Sequence, residues 1–163
     1  MALPHESTYE PIRILDNIIN DAKQNKFSCW LLFQDMAKAY DRVNIHMLEL
    51  ALKRIHIPGD LVRYIINLFI NRKNKVFTAF GDTCEYDILT GIDQGETISP
   101  LLWRIYYDPL LCKIRSLHAG YSQQHTWRPN KNETQLISES INFSCMAFMD
   151  DTVWIAHTKA ELE

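Results

Sequence analysis

Several features that would quickly assign a chain to a class of protein are missing from this sequence of 163 residues. No apolar run approaches the roughly 20 residues that a membrane-spanning helix needs, so we expect no membrane partner. With only five glycines and six prolines, the chain also lacks the composition of disordered and fibrous proteins. Its length fits a single globular domain with one core.

Paired cysteines and a secretory leader are missing as well. The four cysteines are widely spaced and form no C-x-x-C pair. The first residues show no basic segment followed by an apolar one. Both observations predict an intracellular chain, in nucleus or cytoplasm, with free thiols. Cys112, His118 and His125 do not have the spacing of a zinc site, which disfavours metal binding by that set.

A surplus of basic residues, the usual sign of nucleic-acid binding, is also missing. Lysine and arginine number 17 against 20 acidic residues, which gives a net charge of −3. Any polyanion would therefore have to meet a local basic patch. Arg72, Lys73 and Lys75 form the compact basic group of the sequence, and we interpret it as a solvated turn rather than a nucleic-acid contact.

Helical periodicity and apolar runs alternate through the first half of the chain. The spacing of apolar residues predicts a helix from about Thr8 to Asn25. The continuous run "SCWLLFQD" predicts a central strand covered on both faces. Asn44 can cap a second helix, and Pro58-Gly59 separates it from a third helix from Asp60 to about Asn71.

The middle of the chain predicts a hairpin followed by a helix. "KVFTAFGDTCEYDIL" alternates around Gly81-Asp82, as a two-strand hairpin does. Ser99 and Pro100 are suited to be the N-cap and first residue of a helix. Pro109 should kink or end that helix.

The last third is polar first and apolar afterwards. From about Ser116 to Ser140 neither periodicity is present, which predicts a long surface loop. "INFSCMAFM" and "TVWIA" then predict two strands that meet at Asp150-Asp151. Because two hairpins are predicted among helices, we expect an α+β domain with a mainly antiparallel sheet and helices packed on one face.

Three carboxylates occur where predicted strands end. Asp35 closes the first apolar strand, and Asp150-Asp151 lies between the last two. If these strands are neighbours, the carboxylates converge, which is costly unless a cation compensates their charge. Oxygen ligands select magnesium, and two such ions about 4 Å apart can promote an in-line phosphoryl displacement. A solvated turn is the alternative for an Asp-Asp pair at a hairpin tip.

Three blocks of the sequence carry a family resemblance. "FQDMAKAYDRV", "GIDQGETISPLL" and "AFMDD" have the order and spacing of three blocks of reverse transcriptases, and they resemble above all the non-LTR retrotransposon (LINE-like) branch. The resemblance implies a polymerase palm with a ferredoxin-like sheet and partial fingers helices over residues 1–163. It also implies that the N-terminal fingers block and the C-terminal thumb belong to a longer polyprotein.

The resemblance further implies an RNA-directed DNA polymerase and assigns its catalytic residues. Asp35 and Asp150 would hold two Mg²⁺ ions, for which Mn²⁺ is a possible substitute, and Asp151 would be a weaker ligand. Phe148 and Met149 would lie under the last nucleotide of the primer. The implied partners are an RNA template, a DNA primer and dNTPs.

A nucleotide pocket is implied by the first two blocks. The backbone amides of Lys38 and Ala39 would meet the triphosphate. Tyr40 would clash with a ribose 2′-hydroxyl and so select deoxynucleotides. Gln94 and Gly95 would line the pocket, with Gly95 allowing close approach of the backbone to sugar or base.

Two departures from the family pattern leave alternatives open. Gln34 stands where the family usually has an apolar residue, and Glu96-Thr97-Ile98 replaces a commoner triplet. Neither removes a catalytic group. The alternatives are a catalytically inactive, domesticated or truncated fragment acting as a binding module, and a different palm-like nucleotidyl transferase or cyclase.

Overall fold

The protein is built of helices and short strands in a computed structural model that describes residues 8–117, 120–127 and 137–163. The helices are α1 (Tyr9–Asn25), α2 (Ile45–Arg54), α3 (Gly59–Asn67) and α4 (Ser99–Ser116). The strands are β1 (Trp30–Gln34), β2 (Arg72–Asn74), β3 (Phe77–Thr78), β4 (Gly81–Asp82), β5 (Tyr86–Ile88), β6 (Tyr121–Trp127), β7 (Ile137–Phe143), β8 (Cys145–Phe148) and β9 (Asp151–Ala156). All the strand pairs between them are antiparallel, which confirms the α+β class.

The chain divides into two units. The first unit is Ala37–Pro109, and the second contains the described residues up to Met36 together with those from Leu110 to Glu163. In the second unit, β9 lies between β1 and β8 in a three-stranded sheet.

The core of the second unit joins α1 to the sheet. Ile18 and Ala22 are four residues apart and therefore share one face of α1. They pack with Tyr121 of β6 and Ile155 of β9, and all four are buried. Fully burying one large apolar side chain contributes about 1.5–3 kcal/mol, so this cluster fixes α1 against the strands.

The prediction that β1 is the central strand is wrong. β9 occupies the centre and β1 the edge of the three-stranded sheet in the described part of the chain. Leu32 and Phe33 of β1 are 46% and 65% exposed, whereas Thr152 and Ile155 of β9 are buried. A continuous apolar run indicates a strand, but it does not specify how many neighbours that strand has.

The predicted surface loop from Ser116 to Ser140 is also wrong. β6 and β7 pair over seven residues, from Tyr121 opposite Phe143 to Trp127 opposite Ile137. Most of their side chains are exposed, so the apolar alternation that reveals a half-buried strand is absent. Residues 118–119 and 128–136 of that stretch lie outside the described residues.

The first unit confirms the helix cap predicted at Asn44 and shifts the hairpin turn. Asn44 caps α2, because its side-chain oxygen accepts a hydrogen bond from the Met47 amide at 3.1 Å. Thr78 pairs with Gly81, so the turn falls at Ala79-Phe80 and not at Gly81-Asp82. The helix that begins at Ser99 continues through Pro109, which therefore does not end it.

The cysteines are free thiols, as predicted. Burial raises the pKa of the Cys29 and Cys145 thiols, so both stay protonated at neutral pH and are poor nucleophiles. None of the helices in the described ranges is both long and apolar enough to span a membrane.

Tyr121 carries a testable contribution to stability. Its ring is fully buried, and its hydroxyl donates a hydrogen bond to Asp21 Oδ2 at 2.6 Å. Tyr121→Phe should lower the free energy of unfolding at pH 7 by about 1–2 kcal/mol, since the lost bond goes to a charged acceptor. Urea denaturation measures this, and Ser122→Ala, at the exposed neighbour, serves as the control.

The same substitution should change the pH dependence of stability. Burial, and then the hydrogen bond to Asp21, raise the pKa of Tyr121 in the folded state, whereas an unfolded tyrosine titrates near pH 10. Above about pH 10 the unfolded chain loses this proton while the folded chain keeps it, so stability falls as pH rises. The difference in unfolding free energy between wild type and Tyr121→Phe should therefore narrow above pH 10. If this difference in unfolding free energy stays constant above pH 10, the pKa of Tyr121 is not raised by folding.

Candidate active site

The three predicted metal-binding carboxylates lie at the same end of the β1-β9-β8 sheet. Gln34 of β1 pairs with Thr152 of β9. Asp35 follows Gln34 and Asp151 precedes Thr152, so both residues lie at the same end of this antiparallel strand pair. Asp150 occupies the turn that joins β8 to β9. The strands that the sequence predicted to be neighbours are therefore neighbours.

The carboxylates remain open to solvent. Asp35 and Asp151 are exposed and Asp150 is half-buried. Within the described ranges, no three or more His, Cys, Asp or Glu side chains are grouped so as to hold a metal ion. Magnesium is commonly held by one or two carboxylates plus substrate phosphates, so this all-oxygen donor set still fits that ion. The metal-binding role of Asp35, Asp150 and Asp151 stays a prediction.

The β8–β9 turn is tight and strained. Phe148 pairs with Asp151, so only Met149 and Asp150 connect the two strands. Met149 has φ +58°, a left-handed conformation that costs a residue with a side chain about 1–2 kcal/mol. Strained backbone of this kind concentrates at functional sites. The primer-contact role of Phe148 and Met149 stays a prediction; both are half-buried.

Gln34, which departs from the family pattern, has a specific partner in this structure. The Trp154 indole Nε1 donates a hydrogen bond to Gln34 Oε1 at 2.7 Å. The bond links β1 to β9 directly beside Asp35. A polar residue at this position therefore tethers the end of the edge strand, a contact that sequence reasoning missed.

The predicted nucleotide-binding segments meet within the first unit. The Ile92 amide donates to the Tyr40 carbonyl at 3.0 Å, and the Gly91 amide donates to the Val43 carbonyl at 2.9 Å. These bonds attach the segment before Gln94 to the segment that contains Tyr40. The Tyr40 ring lies 5.9 Å from the Trp103 ring, centroid to centroid.

The residues predicted to bind the nucleotide differ in their exposure and in their backbone conformation. Lys38 is exposed with φ +56°, and Ala39 is buried. Gln94 and Gly95 are both exposed. Gly95 has φ +99°, and a Cβ placed on it would meet no atom within 4 Å. The contacts of Lys38, Ala39, Tyr40, Gln94 and Gly95 with a nucleotide stay predictions.

Gly91 is a structural requirement that sequence reasoning did not single out. Its φ is +92°, and an added Cβ would lie 2.8 Å from both Cα and O of Asp41. Only glycine permits the two backbone segments to approach so closely. The signal was present in the sequence as the first glycine of "GIDQG".

Comparison with known proteins adds a family and a fold. Residues 3–163 match the family model described as "Reverse transcriptase (RNA-dependent DNA polymerase)". Among similar proteins, the Pol polyprotein of a type-1 R2 retrotransposable element from Nasonia vitripennis is 22% identical over 94% of this chain and 14% of its own length. The type-2 R2 element Pol polyprotein of Drosophila melanogaster is 22% identical over 99% of this chain and 14% of its own.

A solved telomerase structure shares the fold. Apo telomerase from Candida tropicalis, truncated from its C-terminal domain, superposes with a TM-score of 0.60, covering 96% of this chain and 30% of that one at 18% identity. The present chain therefore spans about a seventh of the two retrotransposon proteins and less than a third of the telomerase chain.

Proposed function

Because the chain belongs to the reverse transcriptase family, we propose that it forms the palm and part of the fingers of an RNA-directed DNA polymerase encoded by a non-LTR retrotransposon. The polymerase would add deoxynucleotides to a primer 3′-hydroxyl on an RNA template. The observation that carries the proposal is that Asp35 follows Gln34 and Asp151 precedes Thr152 at the end of the β1–β9 pair, with Asp150 in the adjoining turn.

The carboxylates of Asp35 and Asp150 would hold two magnesium ions, and Asp151 would be a weaker ligand. Manganese is a possible substitute. Ions bound there would supply Lewis acidity that activates the primer hydroxyl and stabilises the leaving oxygen. The exposure of Asp35 and Asp151 leaves room for phosphate oxygens to complete the coordination.

The first unit would bind the incoming nucleotide. The amides of Lys38 and Ala39 would donate to the triphosphate, and Gln94 and Gly95 would line the pocket. Tyr40 would exclude a ribose 2′-hydroxyl. Its half-buried ring lies beside Trp103, which restrains its rotation and supports a steric role.

The RNA template and DNA primer are the proposed macromolecular partners, with Phe148 and Met149 beneath the terminal primer nucleotide. With a net charge of −3, this chain lacks the basic surplus that usually supplies the phosphate contacts of a nucleic-acid-binding protein. Other segments of a longer polyprotein would supply them, consistent with the lengths of its relatives.

The competing proposal is a catalytically inactive, domesticated fragment that acts as a binding module. The retention of Asp35, Asp150 and Asp151 favours the polymerase over this alternative. The two differ in whether ions bind at this sheet end.

A thermal titration of the full-length protein with Mg²⁺ and Mn²⁺ separates the two. Ion binding at ten times Kd should stabilise the folded protein by about 1.4 kcal/mol, seen as a saturable rise in Tm. Asp150→Asn should remove the rise. Asp87→Asn, the same charge change at an exposed position of β5, should keep it. Equal shifts in both variants, or no shift in the wild type, would favour the binding module.

A further inference from the structure

Arg72 is not part of a solvated turn, because its guanidinium is held by four contacts. Nη1 donates to Asp93 Oδ1 at 2.5 Å, Nη2 to the Gly91 carbonyl at 2.6 Å and Nε to the Phe69 carbonyl at 3.2 Å. The guanidinium carbon also lies 5.2 Å from the centroid of the Phe69 ring. The side chain is only 13% exposed.

Two of these contacts, to the Gly91 carbonyl and the Asp93 carboxylate, reach the segment immediately before the predicted nucleotide-binding turn. Gly91 and Asp93 precede Gln94 by three residues and one residue. The Ser99 hydroxyl also donates to the Asp93 carbonyl, at 2.5 Å. Gln94 and Gly95 themselves are exposed, so their position depends on how firmly the preceding residues are anchored.

The chemistry of the contacts requires arginine. One planar guanidinium donates hydrogen bonds to a carbonyl and a carboxylate at once through separate N–H groups, and its face lies over an aromatic ring. A lysine ammonium is a point charge without this planar fork. Because Gly91 is buried, its carbonyl would have little access to water if the arginine were removed.

We propose that Arg72 is a positioning residue for the nucleotide pocket. It fixes the Gly91–Asp93 backbone so that Gln94 and Gly95 are held ready for the incoming deoxynucleotide, and it does not touch the nucleotide itself. This inference rests on the proposed polymerase function. Lys73, its exposed neighbour in β2, has no such role and provides a control with the same change of charge.

The test is steady-state primer extension on an RNA template by the full-length protein, with hydrogen exchange measured on the same variants. Arg72→Ala should raise KM for dNTPs by about tenfold or more, as expected when a binding group is displaced, with a smaller effect on kcat. Arg72→Lys should recover only part of this loss. Amides of residues 91–95 should exchange faster in Arg72→Ala than in wild type, and Lys73→Ala should change neither measurement.

Each other outcome overturns the inference in a recognisable way. If Arg72→Ala leaves KM within twofold of Lys73→Ala while the wild type is active, Arg72 does not position the pocket and the polymerase function stands. If wild type extends no primer, the proposed function fails and this inference fails with it. Should Arg72→Ala not fold, Asp93→Ala, which removes the acceptor of Nη1, replaces it. A KM unchanged from wild type would then overturn the inference, and a raised KM would support it.

Discussion

Asp150→Asn should abolish primer extension on an RNA template by the full-length protein, lowering kcat by at least about 10²–10³-fold, the loss seen when one preorganised electrostatic contact to a transition state is removed. Asparagine preserves the size of the side chain but replaces an anionic oxygen ligand by a neutral amide. Magnesium strongly prefers the carboxylate. Steady-state and single-turnover extension assays measure the effect.

The neighbouring aspartates sharpen this test. Asp35→Asn should cause a loss as large as that of Asp150→Asn, and Asp151→Asn a smaller one, because Asp151 is the weaker proposed ligand. Asp87→Asn should extend primers at the wild-type rate, since this exposed residue of β5 has no proposed contact with metal or nucleotide. Normal extension by the Asp150→Asn variant would rule out the assigned metal site.

Gly91→Ala should strongly destabilise the first unit. The new methyl carbon would lie 2.8 Å from Asp41 Cα, on a backbone with φ +92°. Strain of this kind costs about 1–3 kcal/mol, and displacing Asp41 backbone adds to it, so we expect a loss of about 3 kcal/mol or more in the free energy of unfolding. Guanidinium denaturation measures this loss.

Gly81→Ala is the matched control for that substitution. Gly81 also has a positive φ, +116°, but nothing lies within 4 Å of the position that its new methyl group would take. Its substitution should lower the free energy of unfolding by about 1 kcal/mol, which is the cost of backbone strain alone. Equal losses in the two variants would show that the close approach to Asp41 is not what requires glycine at position 91.

Local signals in the sequence predicted the features that depend on neighbouring residues. Asn44 was identified as a cap because a cap depends on residues three positions apart. The position of β1 in the sheet depends instead on which distant strands pair with it. β9 pairs with both β1 and β8 and is therefore the central strand. The strands β6 and β7 were missed because backbone pairing with little burial leaves no apolar pattern.

The features of the candidate site also differ in whether the sequence could predict them. The aspartates at strand ends could be predicted because strand termini are local features and the family blocks mark them. The contacts that hold the surrounding backbone could not be predicted from the sequence. Arg72 and Gly91 are 19 positions apart, and Gln34 and Trp154 are 120 positions apart, so only the folded chain reveals these pairs.

Templated synthesis by the full-length protein tests the central claim most directly. A DNA primer annealed to an RNA template would be incubated with Mg²⁺ and either dNTPs or ribonucleotides. The account predicts a DNA product complementary to the template, with ribonucleotides added far more slowly because Tyr40 excludes the 2′-hydroxyl. Absence of templated DNA synthesis, or equal use of ribonucleotides, would contradict it.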